Sequence, residues 1–319
     1  MAISKNVSML EDNDWLNFLK LIRKGKCTPF IGAGACAGVL PLGREIANKW
    51  AKTFNYPLKD SDDLPRVAQF VAIEQYDMLP KEEIIDQFEG VRHPDFSEVD
   101  EPHSALAILP LSVYITTNYD DFMVQALKKH NKDPARDFCA WNKYLEDLRK
   151  SNYDSSSSSL PLSSSPSSFV NYMQYSPNTV HPLVYHLHGY TNIPQSMVLT
   201  ESDYLDFLIY MVKNWQGLLP SVVRTALSGA ALLFVGYSLA DWDFRVLLRG
   251  IISSHEASLT YPAMAVQLPP DNLNEENLDK AIRYLHKYFG NIPKIKVKIY
   301  WGTAKEFSKE LRERWEKFI

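Results

Sequence analysis

Three cysteines, Cys27, Cys36 and Cys139, are too few for a disulfide framework or a four-cysteine zinc site. Their scarcity suits a reducing, intracellular compartment. Excess positive charge is also missing: 34 Lys and Arg stand against 38 Asp and Glu, a formal charge of −4. That balance excludes a protein built to neutralise many phosphates, and no direct nucleic-acid binding is expected. Long hydrophobic runs are absent too. Ala230–Val235 is six residues, far short of the ~20 that span a bilayer. Met1–Leu21 is broken by Lys5, Glu11, Asp12 and Asp14 and has no signal-peptide core. No membrane partner is expected, and the cytoplasm is the expected location.

What is present fits a globular protein. Hydrophobic residues make up 45% and charged residues 23% of 319, enough for a sizeable core. A single domain over 1–319 is expected. Trp15, Leu16, Phe18, Leu19 and Ile22 recur at helical spacing in Asp14–Lys24. Short apolar runs predict strands at Cys27–Ile31, Ser112–Thr116, Leu183–Leu187, Ala231–Val235, Pro262–Val266 and Ile295–Tyr300. Helices are predicted between them at Leu42–Phe54, Leu64–Tyr76, Lys81–Phe88, Asp121–His130 and Asp241–Ile252. Another opens at Thr200-Glu-Ser-Asp203, which fits a capping box, and runs through Met211. Ala304–Phe318 carries Phe307, Leu311, Trp315 and Phe318 on one face, as a core-docking helix would. Strands alternating with helices argue for an α/β fold with a parallel sheet covered on both faces.

One stretch breaks the pattern. Ser151–Ser168 holds eleven serines among eighteen residues, with Pro161 and Pro166. It cannot bury enough apolar surface to offset its ordering entropy. A disordered loop is expected there, inside an insertion over 131–180.

Four polar motifs follow strand ends, the edge where open α/β sheets bind ligands. Gly32-Ala33-Gly34-Ala35-Cys36 is a loop of small residues that lets backbone approach a pyrophosphate, or simply a tight turn. It departs from the dehydrogenase fingerprint in glycine spacing, and no acidic second strand follows. Thr116-Thr117-Asn118-Tyr119-Asp120 offers an amide and a carboxylate, or a turn and helix cap. In His186-Leu-His188-Gly189, alternation puts both imidazoles on one side of a strand. His188, at the strand end, can serve as a general base, while His186 reads as a core histidine. Without a third ligand at fixed spacing, no metal is expected. Gly236-Tyr237-Ser238 allows close backbone approach and a hydroxyl for a phosphate, a ribose or the next helix. The Gly-x-Ser-x-Gly elbow of a nucleophilic serine is absent.

In this order, Gly-Ala-Gly, Thr-Thr-Asn-Tyr-Asp, Leu-His-Gly and Gly-Tyr-Ser-Leu resemble the sirtuin family, and more closely its bacterial branch that degrades NAD. The resemblance spans Phe30 to Asp241 and implies a Rossmann-like parallel sheet. It implies that Gly32, Ala33, Gly34 and Cys36 hold the pyrophosphate, with Cys36 at the family's serine position. It implies that Asn118 and Asp120 face the nicotinamide ribose, with Thr117 beside them, and that His188 is the catalytic histidine. Gly236, Tyr237 and Ser238 would lie near the adenosine half. Pro41-Leu-Gly-Arg44 stands where the family has Pro-Asp-Phe-Arg.

The two Cys-x-x-Cys pairs of the deacylating sirtuins are missing, and the serine-rich insertion stands in their place. Hydrolysis of NAD to nicotinamide and ADP-ribose, or a cyclic form, is therefore expected rather than deacylation. The same crevice could instead sense NAD or ADP-ribose without chemistry. The resemblance also implies control in antiviral defence. With the terminal helix closing the fold, that control is expected from homo-oligomerisation or a separate partner, such as a DNA-translocating ATPase or a nucleic-acid-guided protein.

Overall fold

The computed structural model describes residues 10–155, 170–171, 174–238, 245, 261–269, 275–291 and 295–319. Seven strands form one parallel sheet: β1 Cys27–Ile31, β2 Val113–Thr116, β3 Ala135–Phe138, β4 Leu183–His186, β5 Ala231–Val235, β6 Ala263–Gln267 and β7 Val297–Trp301. Their order is β3-β4-β2-β1-β5-β6-β7. After β1 the chain adds β2 beside it, passes to the edge for β3 and comes back to place β4 between β2 and β3. It then returns to the other side of β1 for β5, β6 and β7. The order thus reverses around β1, whose neighbours are β2 and β5. Such a switch opens a crevice beyond the carboxyl ends of the strands.

Both faces of the sheet are covered, as the continuous apolar runs require. Phe30, Ile115 and Phe234 point into one core and Ile31, Tyr114 and Leu233 into the other. The first core is closed by α7 Lys143–Ser155, α8 Glu201–Leu218, α9 Ser221–Ser228 and α10 Glu275–Gly290. The second is closed by α1 Asp12–Arg23, α5 Pro102–Ala107, α6 Phe122–Lys129 and α11 Ala304–Phe318. Three further helices, α2 Gly43–Thr53, α3 Leu64–Glu74 and α4 Leu79–Phe88, pack on one another around Trp50, Val67 and Val71. They meet the rest of the chain through Met197, Leu199 and Tyr119.

The capping box at the start of α8 forms as expected. Thr200 Oγ1 accepts from Asp203 N at 3.1 Å, and Asp203 Oδ2 accepts from Thr200 N at 3.0 Å. The helix continues past Met211, with Asn214 outside helical geometry. Among the described residues no helix is long and apolar enough to cross a membrane.

The insertion over 131–180 needs correcting. It contributes β3, which pairs parallel with β4 and sets Phe138 opposite His186. Arg136 and Asp137 in mid-strand hid it from a hydropathy reading. The disordered loop expected over 151–168 also starts too early, because α7 runs to Ser155. Arg149 ties α7 back to the sheet by donating to Phe138 O at 2.7 Å. Residues 156–168, like the predicted helix Asp241–Ile252 apart from Arg245, lie outside the described residues.

Candidate functional site

The glycine loop leaves β1 as a short 3-10 turn, Ala33–Cys36. Its glycines are dictated first by the chain beside it. Gly32 N donates to Val235 O and Gly34 N to Gly236 O, both at 2.9 Å. Gly236 has φ +81, and a Cβ there would lie 2.3 Å from Ala35 N and 2.5 Å from Gly32 O. A Cβ on Gly32 would lie 2.8 Å from Gly236 O. The loops after β1 and β5 are thus pressed backbone to backbone, a closeness that only glycine allows. Ala33 stays exposed and Gly34 half-exposed at the mouth of the crevice. Tyr237 lies over Gly32, and its hydroxyl shares a 2.9 Å hydrogen bond with Thr117 Oγ1. Ser238 follows, half-buried.

Asn118 joins the ends of three strands. Its backbone N donates to Thr116 Oγ1 at 2.9 Å. Its Nδ2 donates to Gly32 O at 3.2 Å and to Cys36 Sγ at 3.3 Å. Both amide hydrogens are therefore held inward, which leaves Oδ1 for a ligand. The thiol of Cys36 donates in turn to Asp120 Oδ2 at 3.3 Å. Burial first, then the nearby Asp120 carboxylate, push the Cys36 pKa well above its ordinary value. The group is a neutral hydrogen-bonding thiol rather than a nucleophile. Asp120 Oδ1 accepts from Phe122 N at 3.0 Å, and burial raises the carboxyl's pKa. Beside it, a cleft of roughly 340 Å³ runs between Phe88, Glu89 and Asn192.

The two histidines of β4 and its end part company. His186 is buried, and its Nδ1 is 3.0 Å from Asn118 O, while Nε2 has no partner. His188 turns its ring edge-on against Tyr204 and Phe207 of α8, at centroid distances of 5.4 and 5.0 Å. Burial lowers the pKa of both to about 3, so both rings are neutral at pH 7. The chain after His188 is folded back on it. Val198 N donates to His188 O at 3.0 Å and Trp141 Nε1 to Ser196 O at 2.7 Å. Gly189 has φ +78, and a Cβ there would lie 2.1 Å from Ser196 O. Tyr119 links this loop to the asparagine turn: its carbonyl accepts from Thr191 N and its hydroxyl donates to Val198 O.

Contacts therefore bring Gly32, Gly34, Cys36, Thr117, Asn118, Asp120, Gly236 and Tyr237 into one cluster. His188 is tied to it through Tyr119 and backbone, with its ring on the α8 side. Arg44 lies elsewhere, exposed and paired with Asp62 at 3.4 Å. Two members had no sequence signal. His103 Nε2 lies 3.9 Å from Cys36 Sγ, and Glu101 Oε1 lies 2.7 Å from His103 Nδ1. Their segment reads only as a helix start, an acid followed by Pro102. Among the described residues, Cys36, His103 and Asp120 bring three potential metal-ligand atoms within 4.8 Å of one another. The thiol–carboxylate and imidazole–carboxylate contacts already satisfy these groups without an ion.

A family model described as "SIR2-like domain" matches residues 112–289, more than half of the chain. Proteins named "NAD(+) hydrolase ThsA" are similar to it. The one from Acinetobacter baumannii is 25% identical over 242 residues, covering 73% of this chain and 40% of that protein. The one from Enterococcus faecium is 24% identical over 235 residues, covering 73% and 41%. The one from Bacillus cereus is 22% identical over 288 residues, covering 88% and 52%. This chain thus spans about half or less of the length of these relatives. A solved structure described as "Structural Basis for the Mechanism and Regulation of Sir2 Enzymes" aligns over 94% of this chain and 95% of that chain, with 14% identity and a TM-score of 0.35. A score that low leaves the fold to the topology described above.

Proposed function

Since the chain belongs to the SIR2-like domain family, we propose that its crevice cleaves the bond between nicotinamide and ribose in NAD. The three similar proteins named NAD(+) hydrolase support this substrate and reaction. The observation that carries the proposal is the inward locking of the Asn118 amide by Gly32 O and Cys36 Sγ. It fixes the amide beside the glycine loop and leaves its oxygen for a ligand.

In this reaction the bond from ribose C1′ to the pyridinium nitrogen breaks, and its electron pair leaves with nicotinamide. The leaving group departs neutral and needs no acid. Positive charge shifts to an oxocarbenium-like ribose, as in glycoside hydrolysis. Water adds at C1′ and releases one proton, giving ADP-ribose; attack by a group of the same nucleotide gives a cyclic form. Asn118 Oδ1 orients the water or the ribose hydroxyls. Asp120 favours the developing positive charge. His188, neutral at pH 7, accepts a proton directly or through a ribose hydroxyl that becomes acidic as the ring turns cationic. Ala33 and Gly34, exposed and half-exposed with little side chain, let the pyrophosphate approach the loop, and Ser238 and Tyr237 lie toward the adenosine half. The cleft beside Asp120 takes the leaving pyridine. None of these roles calls for a metal.

An NAD-depleting enzyme endangers its own cell. We infer a cytoplasmic effector of antiviral defence, held in check by self-association or a separate partner chain. One observation favours a second function, an NAD or ADP-ribose sensor: the His188 ring packs on α8 and is a weak base. The test is nicotinamide release from NAD by purified protein. Asn118→Ala and His188→Ala should each lower turnover about 100-fold or more. Unchanged turnover in Asn118→Ala overturns the assignment, and NAD binding without release in the unmutated chain favours the sensor.

A further inference from the structure

Behind Asn118 and Asp120 lies a buried carboxyl–imidazole pair that the cleavage chemistry does not use. Glu101 and His103, 5% and 1% exposed, stand at the start of α5. Glu101 Oε1 holds His103 Nδ1 at 2.7 Å, and its other oxygen accepts from Ser104 N. Burial alone would strip both groups of charge. Their mutual hydrogen bond and attraction outweigh it, leaving Glu101 below and His103 above its ordinary pKa. With Nδ1 fixed on Glu101, Nε2 faces Cys36 Sγ at 3.9 Å. Cys36 is in turn the junction between Asn118 Nδ2 and Asp120 Oδ2.

A buried ion pair adds little net stability over well-packed apolar side chains, because desolvation offsets the attraction. Capping α5 needs only the Glu101 carboxyl oxygen. Neither stability nor capping accounts for an imidazole held on Glu101 and aimed at the thiol that orients Asn118. We propose that Glu101 and His103 are positioning residues, a hydrogen-bonded brace that acts through Cys36 to fix the side chains of Asn118 and Asp120 in the crevice. Neither residue touches substrate. The catalytic consequence rests on the crevice being the site of NAD cleavage.

The test uses two variants. Glu101→Gln keeps an acceptor for Ser104 N and removes the charge; His103→Gln removes the imidazole and keeps a polar side chain. The first measurement needs no ligand. The side-chain amide protons of Asn118, assigned by their loss in Asn118→Ala, are followed by NMR in the full chain. In the unmutated protein Gly32 O and Cys36 Sγ hold both. Each variant is expected to shift these signals and speed their exchange, while the backbone spectrum stays folded. The second measurement is nicotinamide release. Displacing an orienting group by a fraction of an ångström should lower kcat roughly 10- to 100-fold, with KM for NAD little changed. Asn118 signals that stay in place in both variants overturn the brace, as does an unchanged kcat in a chain that cleaves NAD. A chain that binds NAD and releases no nicotinamide favours the sensor, and the Asn118 signals then decide the brace alone. If His103→Gln does not fold, Glu101→Gln carries the test.

Discussion

A thiol at position 36 does two jobs at once, accepting from Asn118 and donating to Asp120, each at 3.3 Å. Alanine there would release both partners. Cys36→Ala is expected to lower nicotinamide release about tenfold, the worth of one hydrogen bond of roughly 1.4 kcal/mol. Cys36→Ser, which keeps a donor and an acceptor, should lose less; equal losses in the two variants would deny the hydrogen-bonding role. Glycines separate in the same way. Gly90 has φ +79 and open space within 4 Å of where a Cβ would stand, whereas Gly236 has φ +81 and backbone at 2.3 Å. Gly90→Ala should therefore cost about 1–2 kcal/mol, the backbone penalty alone. Gly236→Ala should cost about 4 kcal/mol or more, since two loops must also move apart. Denaturant unfolding of both variants checks the difference.

At the scale of elements, the loop from Gly189 to Val198 holds the end of β4 in place. Trp141, just beyond β3, donates its indole hydrogen to Ser196 O, the atom that crowds Gly189. Trp141→Phe keeps an aromatic ring and strands that buried carbonyl. It should cost about 1–3 kcal/mol in thermal unfolding, and turnover should fall as His188 loses its support. An unaltered melting temperature would show the contact to be idle. Between α4 and α8 runs a second tie, Lys81 Nζ to Asp203 at 3.1 Å, with little exposure on either side. Lys81→Met leaves Asp203 with only its two backbone donors, Leu199 N and Thr200 N. A loss of about 3 kcal/mol is expected, read by urea unfolding.

Over the whole molecule, the buried histidines weigh against stability in acid. His186 and His188 titrate near 3 in the fold, against an ordinary value of 6.5. Between these values the unfolded chain binds the extra protons, so stability falls as pH drops from 6.5 toward 3. Each ring contributes a slope of about 1.4 kcal/mol per pH unit within that window. His103 acts in the opposite sense. Its raised pKa contributes stability below 6.5 that is lost as pH rises through the folded value. Melting temperatures between pH 3 and 7 should show the acid loss, and His186→Phe should flatten part of it. A curve of the same steepness in that variant would place the acid sensitivity elsewhere.

Much of this was legible along the chain. Cys27–Ile31 and Ala231–Val235 were bounded as observed, because a strand buried on both faces must be apolar throughout, and that is a local property. The polar motifs at four strand ends were visible for the same reason, since chemistry-bearing side chains interrupt those runs. β3 was missed because an edge strand can carry Arg136 and Asp137 in its middle. The sequence by itself determined a parallel α/β sheet with Asn118, Asp120, His188 and three glycines at its carboxyl edge. Only the tertiary structure decided that the glycines serve a loop-to-loop contact, that the His188 ring turns to α8, and that Glu101 and His103 stand behind Cys36. The contact from His103 to Cys36 spans 67 residues, and that from Asn118 to Gly32 spans 86. Hydrogen bonds over such separations depend on how strands are ordered in space, which no local pattern of residues encodes.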